Sequence, residues 1–464
     1  MIARDTLLGV LLAALPFTAG AGPTRPWTAV IHVPRGANLA AINRTLDAAP
    51  PGATVIVPPG VYRGHLVLSK RIRLVGRGRP LFVATTDESV IRIQAANVTV
   101  EGIDIDGEGR GDLGRDSSGL HIAASDAVVR SCSIRGTLFG VYLREADGAV
   151  VEHCTILGIP DRDPGEKGSG IHVWNTRGFR LIGNQIAGVR DGIYVQAASH
   201  GMILGNAVRD VRYGLHYMFS DDNFFEGNVF ADADAGTVIM YSNRVTFRRN
   251  RFVHNRGFAS VGLLLKSCED AVAEENLIAD NARGIFLEGS YRNVIRRNII
   301  AQSDTAIVLF DSCADNRFEG NSFVANMTPL TLVGRRTDTE FEGNYWAEND
   351  EPDLDGDGRS DRPYRLSSVF DHFRGNVAAA DLFAGGPAAL ALAAAETSFP
   401  ILDPIPVEDR APLARPPQLA GVPRPAPDRR ARPAGIAVSG AMVCLAAGLL
   451  FGRGRRRAPR RDGR

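Results

Sequence analysis

The chain has 464 residues, 53 Lys and Arg against 52 Asp and Glu, 50 glycines and 26 prolines. Residues 453–464 hold seven arginines and one aspartate, or +6, so the total of +1 leaves −5 on residues 1–452. With no basic patch outside that tail, nucleic-acid binding is excluded, and the lack of C-x-x-C or Cys/His spacing excludes a zinc module.

Residues 1–21 read as a signal peptide: Arg4, an apolar run from Leu7 to Phe17, then Ala19-Gly20-Ala21 for cleavage. Residues 30–346 follow a repeat. Asparagine fills one slot at 184, 206, 228, 250, 276, 298, 321 and 344, at spacings of 22 to 26 residues, and Cys154, Cys132, Ile103 and Ile72 continue it upstream. A fixed period of this length means a solenoid. Alternation in Gly192-Ile193-Tyr194-Val195-Gln196 and Gly214-Leu215-His216-Tyr217-Met218 makes its elements strands. The fold class is therefore all-β, a right-handed parallel β-helix of about twelve coils. Buried turn amides stacked on successive coils would satisfy the backbone, which makes the asparagines structural. Cys132 and Cys154 share a slot one coil apart, near the separation a disulfide needs, with buried thiols the favoured reading.

Indexed against the period, the insertions at roughly 106–118, 158–169 and 254–261 emerge at one corner. From there the chain enters the strand that opens with glycine. Its first outward column reads His121, Tyr142, His172, Tyr194, His216, Val238, Leu264, Phe286, and its second includes Arg144, Trp174, Gln196, Met218, Met240, Lys266 and Glu288. A solvated face would be Ser, Thr, Lys and Glu. This one is aromatic, His and Met, the composition of an interaction surface; the competing reading is a face covered by its own insertions. His121, Tyr142, His172, Trp174, Tyr194, His216, Met218 and Met240 are the candidate partner surface. Imidazole and thioether together select Cu(I), which makes His216, Met218 and Met240 candidate metal ligands.

Residues 347–402 read as a C-terminal cap. Within it Asp353, Asp355, Asp357 and Asp361, with Gly356, match the start of a calcium loop that lacks the acid at position 12, where Tyr364 stands. Residues 403–433, with nine prolines, read as a semi-rigid linker. The uncharged stretch 434–452 is long enough for a transmembrane helix. The arginine tail 453–464 would lie in the cytoplasm and the solenoid outside, in the periplasm. Glycosidase chemistry needs paired carboxylates in a groove. Asp116 and Asp191 are placed near the stripe, but neither has a carboxylate partner in the pattern, so the chain does not read as an enzyme. Polygalacturonase and alginate-epimerase motifs are absent.

The ordered motifs Gly-Leu-His-Tyr-Met-Phe-Ser (214–220), Val-Ile-Met-Tyr-Ser (238–242), Gly-Leu-Leu-Leu-Lys-Ser (262–267), Gly-Ile-Phe-Leu-Glu (284–288) and Gly-Asn-Tyr-Trp (343–346) resemble the NosD family, as do the Asp-rich loop through Pro363-Tyr364 and Phe399-Pro400. The resemblance covers roughly residues 30–415. It implies a periplasmic, non-catalytic protein that works with the permease NosY and ATPase NosF, an ABC transporter. It further implies assembly of the copper centre of nitrous-oxide reductase, with the copper chaperone NosL as another partner and copper as a transient ligand. The apolar stretch 434–452 departs from a typically soluble family. A polysaccharide-binding or -processing β-helix, or a maturation factor for another exported metalloenzyme, is the alternative.

Overall fold

The computed structural model describes residues 27–257, 260–366 and 407–423, with isolated positions between 377 and 395. Short strands stack in parallel into a right-handed-type solenoid of about 14 turns. One face is an unbroken parallel ladder of strands from Val30–His32 to Glu340–Glu342. The other two faces merge into one sheet because Ala207–Met218 and Val229–Met240 run as continuous strands around the corner between them. Asp210 and Asp232 turn that corner with φ of 54° and 52°.

Two turns more are present than the repeat predicts. They are built on Val30–His32 and Ala53–Val57, which carry no slot asparagine. Ile72 is also off by several positions: it pairs with Ala53, and because Leu74 pairs with Val100, three residues before Ile103, the slot of Ile103 falls at Arg77 instead. Between Val30–His32 and Ala53–Val57 the helix Leu39–Ala48, capped by the Asn38 side chain on the Ala41 amide, buries Ile42 and Leu46. An open solenoid end would expose its core, and this helix covers it.

Inside, like residues stack at the rung spacing. Phe225 lies 4.7 Å from Phe247, Phe318 4.9 Å from Phe341, and Phe323 4.0 Å from Trp346. The slot asparagines form the ladder expected of them. Asn184, Asn206, Asn228, Asn250, Asn276, Asn298 and Asn321 each donate backbone N–H and Nδ2 to the Oδ1 of the next, at 2.8–3.1 Å. Within the segment read as a linker, Val407, Asp409 and Val422 are buried, and Glu408–Asp409 pairs with Phe341 as one more strand of the ladder. Cys132, Cys154, Cys268 and Cys313 are free, buried thiols.

The expected signal peptide (1–21), transmembrane helix (434–452) and arginine tail (453–464) lie outside the described residues. Among the described residues no helix is long and apolar enough to cross a membrane.

Candidate functional site

Strand register brings the outward columns together. His121, Tyr142, His172, Tyr194, His216, Val238, Leu264 and Phe286 are successive partners along the ladder, and so are Arg144, Trp174, Gln196, Met218, Met240, Lys266 and Glu288. The rings form a column: His121–Tyr142 at 5.2 Å, Tyr142–His172 at 4.5 Å and His172–Tyr194 at 4.4 Å, all stacked, then Tyr194–His216 edge-on at 4.7 Å. Offset and edge contacts at these distances are favourable geometry for aromatic rings.

The two ends of the stripe differ in access. His121 and Tyr142 face outward yet are only 6% exposed each. Leu138 and Phe139 pack on Tyr142 together with Trp174, and the first insertion returns through Asp116, which pairs with Arg144 at 3.5 Å. A cleft of about 590 Å³ remains beside His121, lined by Glu88, Arg92, Arg115, Asp116 and Arg144. Further along, His172, Trp174, Tyr194, His216, Met218 and Met240 are half-buried. Part of the face is thus covered by the chain itself, and its middle is open.

Burial, with Arg190 nearby, pushes the His172 pKa down to about 3, and its Nδ1 is buried without a partner. The ring is therefore neutral in the folded state and titrates near 6.5 once unfolded. Its contribution to stability is complete above about pH 6.5 and is lost as the pH falls toward 3. The variant His172→Phe keeps the stack and removes this term, so its Tm falls less than wild type between pH 7 and pH 4. Parallel Tm curves would contradict the assignment.

The proposed soft ligands share one face. Met218 is register-paired with Met240, and His216 precedes Met218 by two positions on the same strand. The Met218 sulfur accepts a hydrogen bond from the Tyr194 hydroxyl at 3.7 Å, while Met240 packs against the cluster of Ala235, Val238 and Val261. One imidazole and two thioethers make a donor set suited to Cu(I) rather than to a hard cation. Asp191 is wholly buried beneath this group and is bonded to Arg190, Arg212 and His216. Burial raises its pKa, but the His216 hydrogen bond and the two guanidiniums outweigh that and hold it below the usual range.

Phe219 and Tyr241 escape the sequence reading. They follow Met218 and Met240, stack on each other at 5.0 Å, and are 54% and 45% exposed. Both have φ of 51°, a conformation unusual for bulky residues. Their slot elsewhere holds Glu145, Asn175, Ala197, Ser267 and Gly289, all at positive φ. Two aromatics 22 residues apart in a slot of otherwise small or polar residues were the available signal.

At the far end, Asp353, Asp355 and Asp357 bring carboxylate oxygens within 4.8 Å of one another, but Asp361 is not in that group. Its Oδ2 accepts from the Leu354 amide instead. Asp353 accepts from the amides of Gly356 and Gly358, as a turn of this composition does without an ion.

Residues 148–351 match the family model described as "Periplasmic copper-binding protein (NosD)". The chain is 32% identical over 382 residues to the "Probable ABC transporter binding protein NosD" of Pseudomonas aeruginosa, covering 79% of this chain and 89% of that protein. It is 31% identical over 379 residues to the protein of the same name from Stutzerimonas stutzeri, covering 77% and 86%. Among solved structures, the A-module of Azotobacter vinelandii mannuronan C-5 epimerase AlgE4 superposes with a TM-score of 0.57 at 15% identity, covering 64% of this chain and 94% of that one. A Yersinia enterocolitica family 28 exopolygalacturonase gives 0.54 at 12%, covering 71% and 79%. At such identities the likeness to these two enzymes is one of fold alone. Relatives that match along nearly their whole length decide the family: the chain belongs to the NosD family.

Proposed function

We propose that this chain is an exported, non-catalytic scaffold that works with an ABC transporter in maturing the copper centre of nitrous-oxide reductase. The relatives' printed name, an ABC transporter binding protein, and the family's description as periplasmic and copper-binding support the setting. NosY and NosF would be the permease and ATPase, NosL the copper donor and the apo-reductase the recipient. Segment 434–452 would anchor the solenoid to the inner membrane. The relatives are named as binding proteins, in keeping with a chain that does no chemistry of its own.

One observation carries the mechanism: the open middle of the stripe ends in thioethers and in the exposed Phe219–Tyr241 pair. A rigid solenoid presents this patch at a fixed angle, and transporter motion would move it as one body between donor and recipient. Aromatic rings and methionines at a surface are typical docking anchors. Copper is cargo here, received and released.

Replacing Met218 and Met240 together by alanine should lower reductase copper content at least fivefold in cells that co-express the transporter genes, with Tm nearly unchanged. Copper is read by mass spectrometry on the purified reductase. Full copper content with the double variant would overturn the role of this group.

A further inference from the structure

His216, the histidine of the proposed copper group, sits over a buried charge network that a bare ligand group does not need. Asp191 opens the strand Asp191–Gln196, beneath the stripe and wholly out of solvent. A buried carboxylate is costly unless neutralised and hydrogen-bonded. Arg212 supplies Nη2 to both oxygens at 2.9 and 3.0 Å and Nε to Oδ1 at 3.1 Å, and Arg190 Nε reaches Oδ2 at 3.2 Å. Two guanidiniums serve one carboxylate, more than charge balance asks.

The remaining contact runs to the site. His216 Nδ1 lies 3.4 Å from Asp191 Oδ2. An ionised carboxylate only accepts, so the proton of this contact belongs to Nδ1. In a neutral imidazole so bonded the lone pair falls on Nε2, the nitrogen that the Asp191 contact leaves unused. The ring plane is fixed as well, edge-on to Tyr194 at 4.7 Å and to Tyr213 at 5.1 Å. Arg212 lies over the Tyr213 ring at 4.3 Å, which ties the second aromatic wall to the same network. The other two histidines of the column are built differently, because Nδ1 of His121 and of His172 is buried with no partner at all. Of these three histidines His216 alone has a nitrogen committed to a carboxylate, and Met218 lies two residues further along the same strand face.

We propose that Asp191, clamped by Arg190 and Arg212, is a positioning residue that holds His216 in the Nδ1–H tautomer so that Nε2 is presented for Cu(I) beside Met218. The inference rests on the copper reading of His216, Met218 and Met240. Carboxylates that orient a metal-ligating histidine in this way commonly contribute 10–100-fold in affinity.

The test uses the purified exported chain under anaerobic conditions. Cu(I) affinity is measured by competition with a chromophoric Cu(I) chelator, and the histidine tautomers by long-range ¹H–¹⁵N NMR on selectively labelled protein. The His216 signal is the one missing from His216→Ala. The metal-free wild type should show His216 as the Nδ1–H tautomer. Asp191→Asn should mix the tautomers and weaken Cu(I) about 10–100-fold. Because that variant leaves two guanidiniums uncompensated, Asp191→Asn with Arg212→Gln is measured beside it and should show the same loss. If His216→Ala binds Cu(I) as tightly as wild type, the copper reading itself falls. If His216→Ala is weakened while both Asp191 variants bind like wild type, the positioning role alone falls. An Nε2–H tautomer in the wild type overturns the positioning role whatever the stability of the variants.

Discussion

Asp409→Ala should destabilise the C-terminal end of the solenoid by about 3–5 kcal/mol. The Asp409 side chain is fully buried and accepts from five donors: the amides of Gly343, Asn344 and Ala411, Asn344 Nδ2, and the indole Nε1 of Trp346, at 2.9–3.2 Å. The asparagine ladder has a direction. Every amide nitrogen points to the next rung, so the last rung needs an acceptor that has no donor of its own to satisfy. A carboxylate meets that condition. Alanine leaves these groups unpaired in a dry place, whereas Asp409→Asn keeps one acceptor oxygen and should cost about half as much. Repeats couple to their nearest neighbours, so the damage should begin at the end, as faster hydrogen exchange at Tyr345 and Trp346 and a shift in Trp346 fluorescence. A loss below about 1 kcal/mol in Asp409→Ala would mean that water replaces the cap.

Asp409 also shows where the sequence stops being legible. The period is visible because each coil buries the same slot against the same slot, so the residue type repeats at 22 to 26 residues. His121, Tyr142, His172, Tyr194 and His216 could be aligned in one column from that spacing, and strand register places them there. The cap lies 65 residues beyond Asn344, across residues that do not repeat, and no spacing rule reaches it. The first two turns are invisible for a related reason, since Val30–His32 and Ala53–Val57 lead into no ladder asparagine. Burial of Tyr142 depends on how Leu138, Phe139 and Trp174 pack over it, and that of His121 on where the insertion at 106–118 brings Asp116, which periodicity cannot express. Phe219 and Tyr241 were read past because two-residue alternation ends at Met218 and Met240, and the next residue is a turn whose backbone, not its side chain, sets the pattern. Asp191 was weighed as a lone acid in a groove. Its meaning comes from Arg190, Arg212 and His216 closing around it, a three-dimensional fact of one corner.

The ladder interior makes the opposite demand from its end, and this gives the second large effect. Asn228 is fully buried; its Oδ1 accepts from the amide and Nδ2 of Asn206, and its Nδ2 donates to Ile203 O and Asn250 Oδ1. Asn228→Ala orphans the Asn206 amide and unpairs one proton of its side chain, at about 1–3 kcal/mol for each buried group, so about 3 kcal/mol or more in total. Asn228→Asp should be no better, although the natural cap is an aspartate. At the terminus a carboxylate meets donors on every side, but at position 228 it would meet donors from Asn206 and acceptors at Ile203 and Asn250. The oxygen that replaces Nδ2 would face two other oxygens with no water between them, a cost that burial raises further. Urea unfolding should therefore rank wild type above Asn228→Ala, with Asn228→Asp equal to or below Ala, while at position 409 Asp stands above Asn and Asn above Ala. If Asp were tolerated at both positions, the ladder would have no polarity and Asp409 would be one more rung rather than its end.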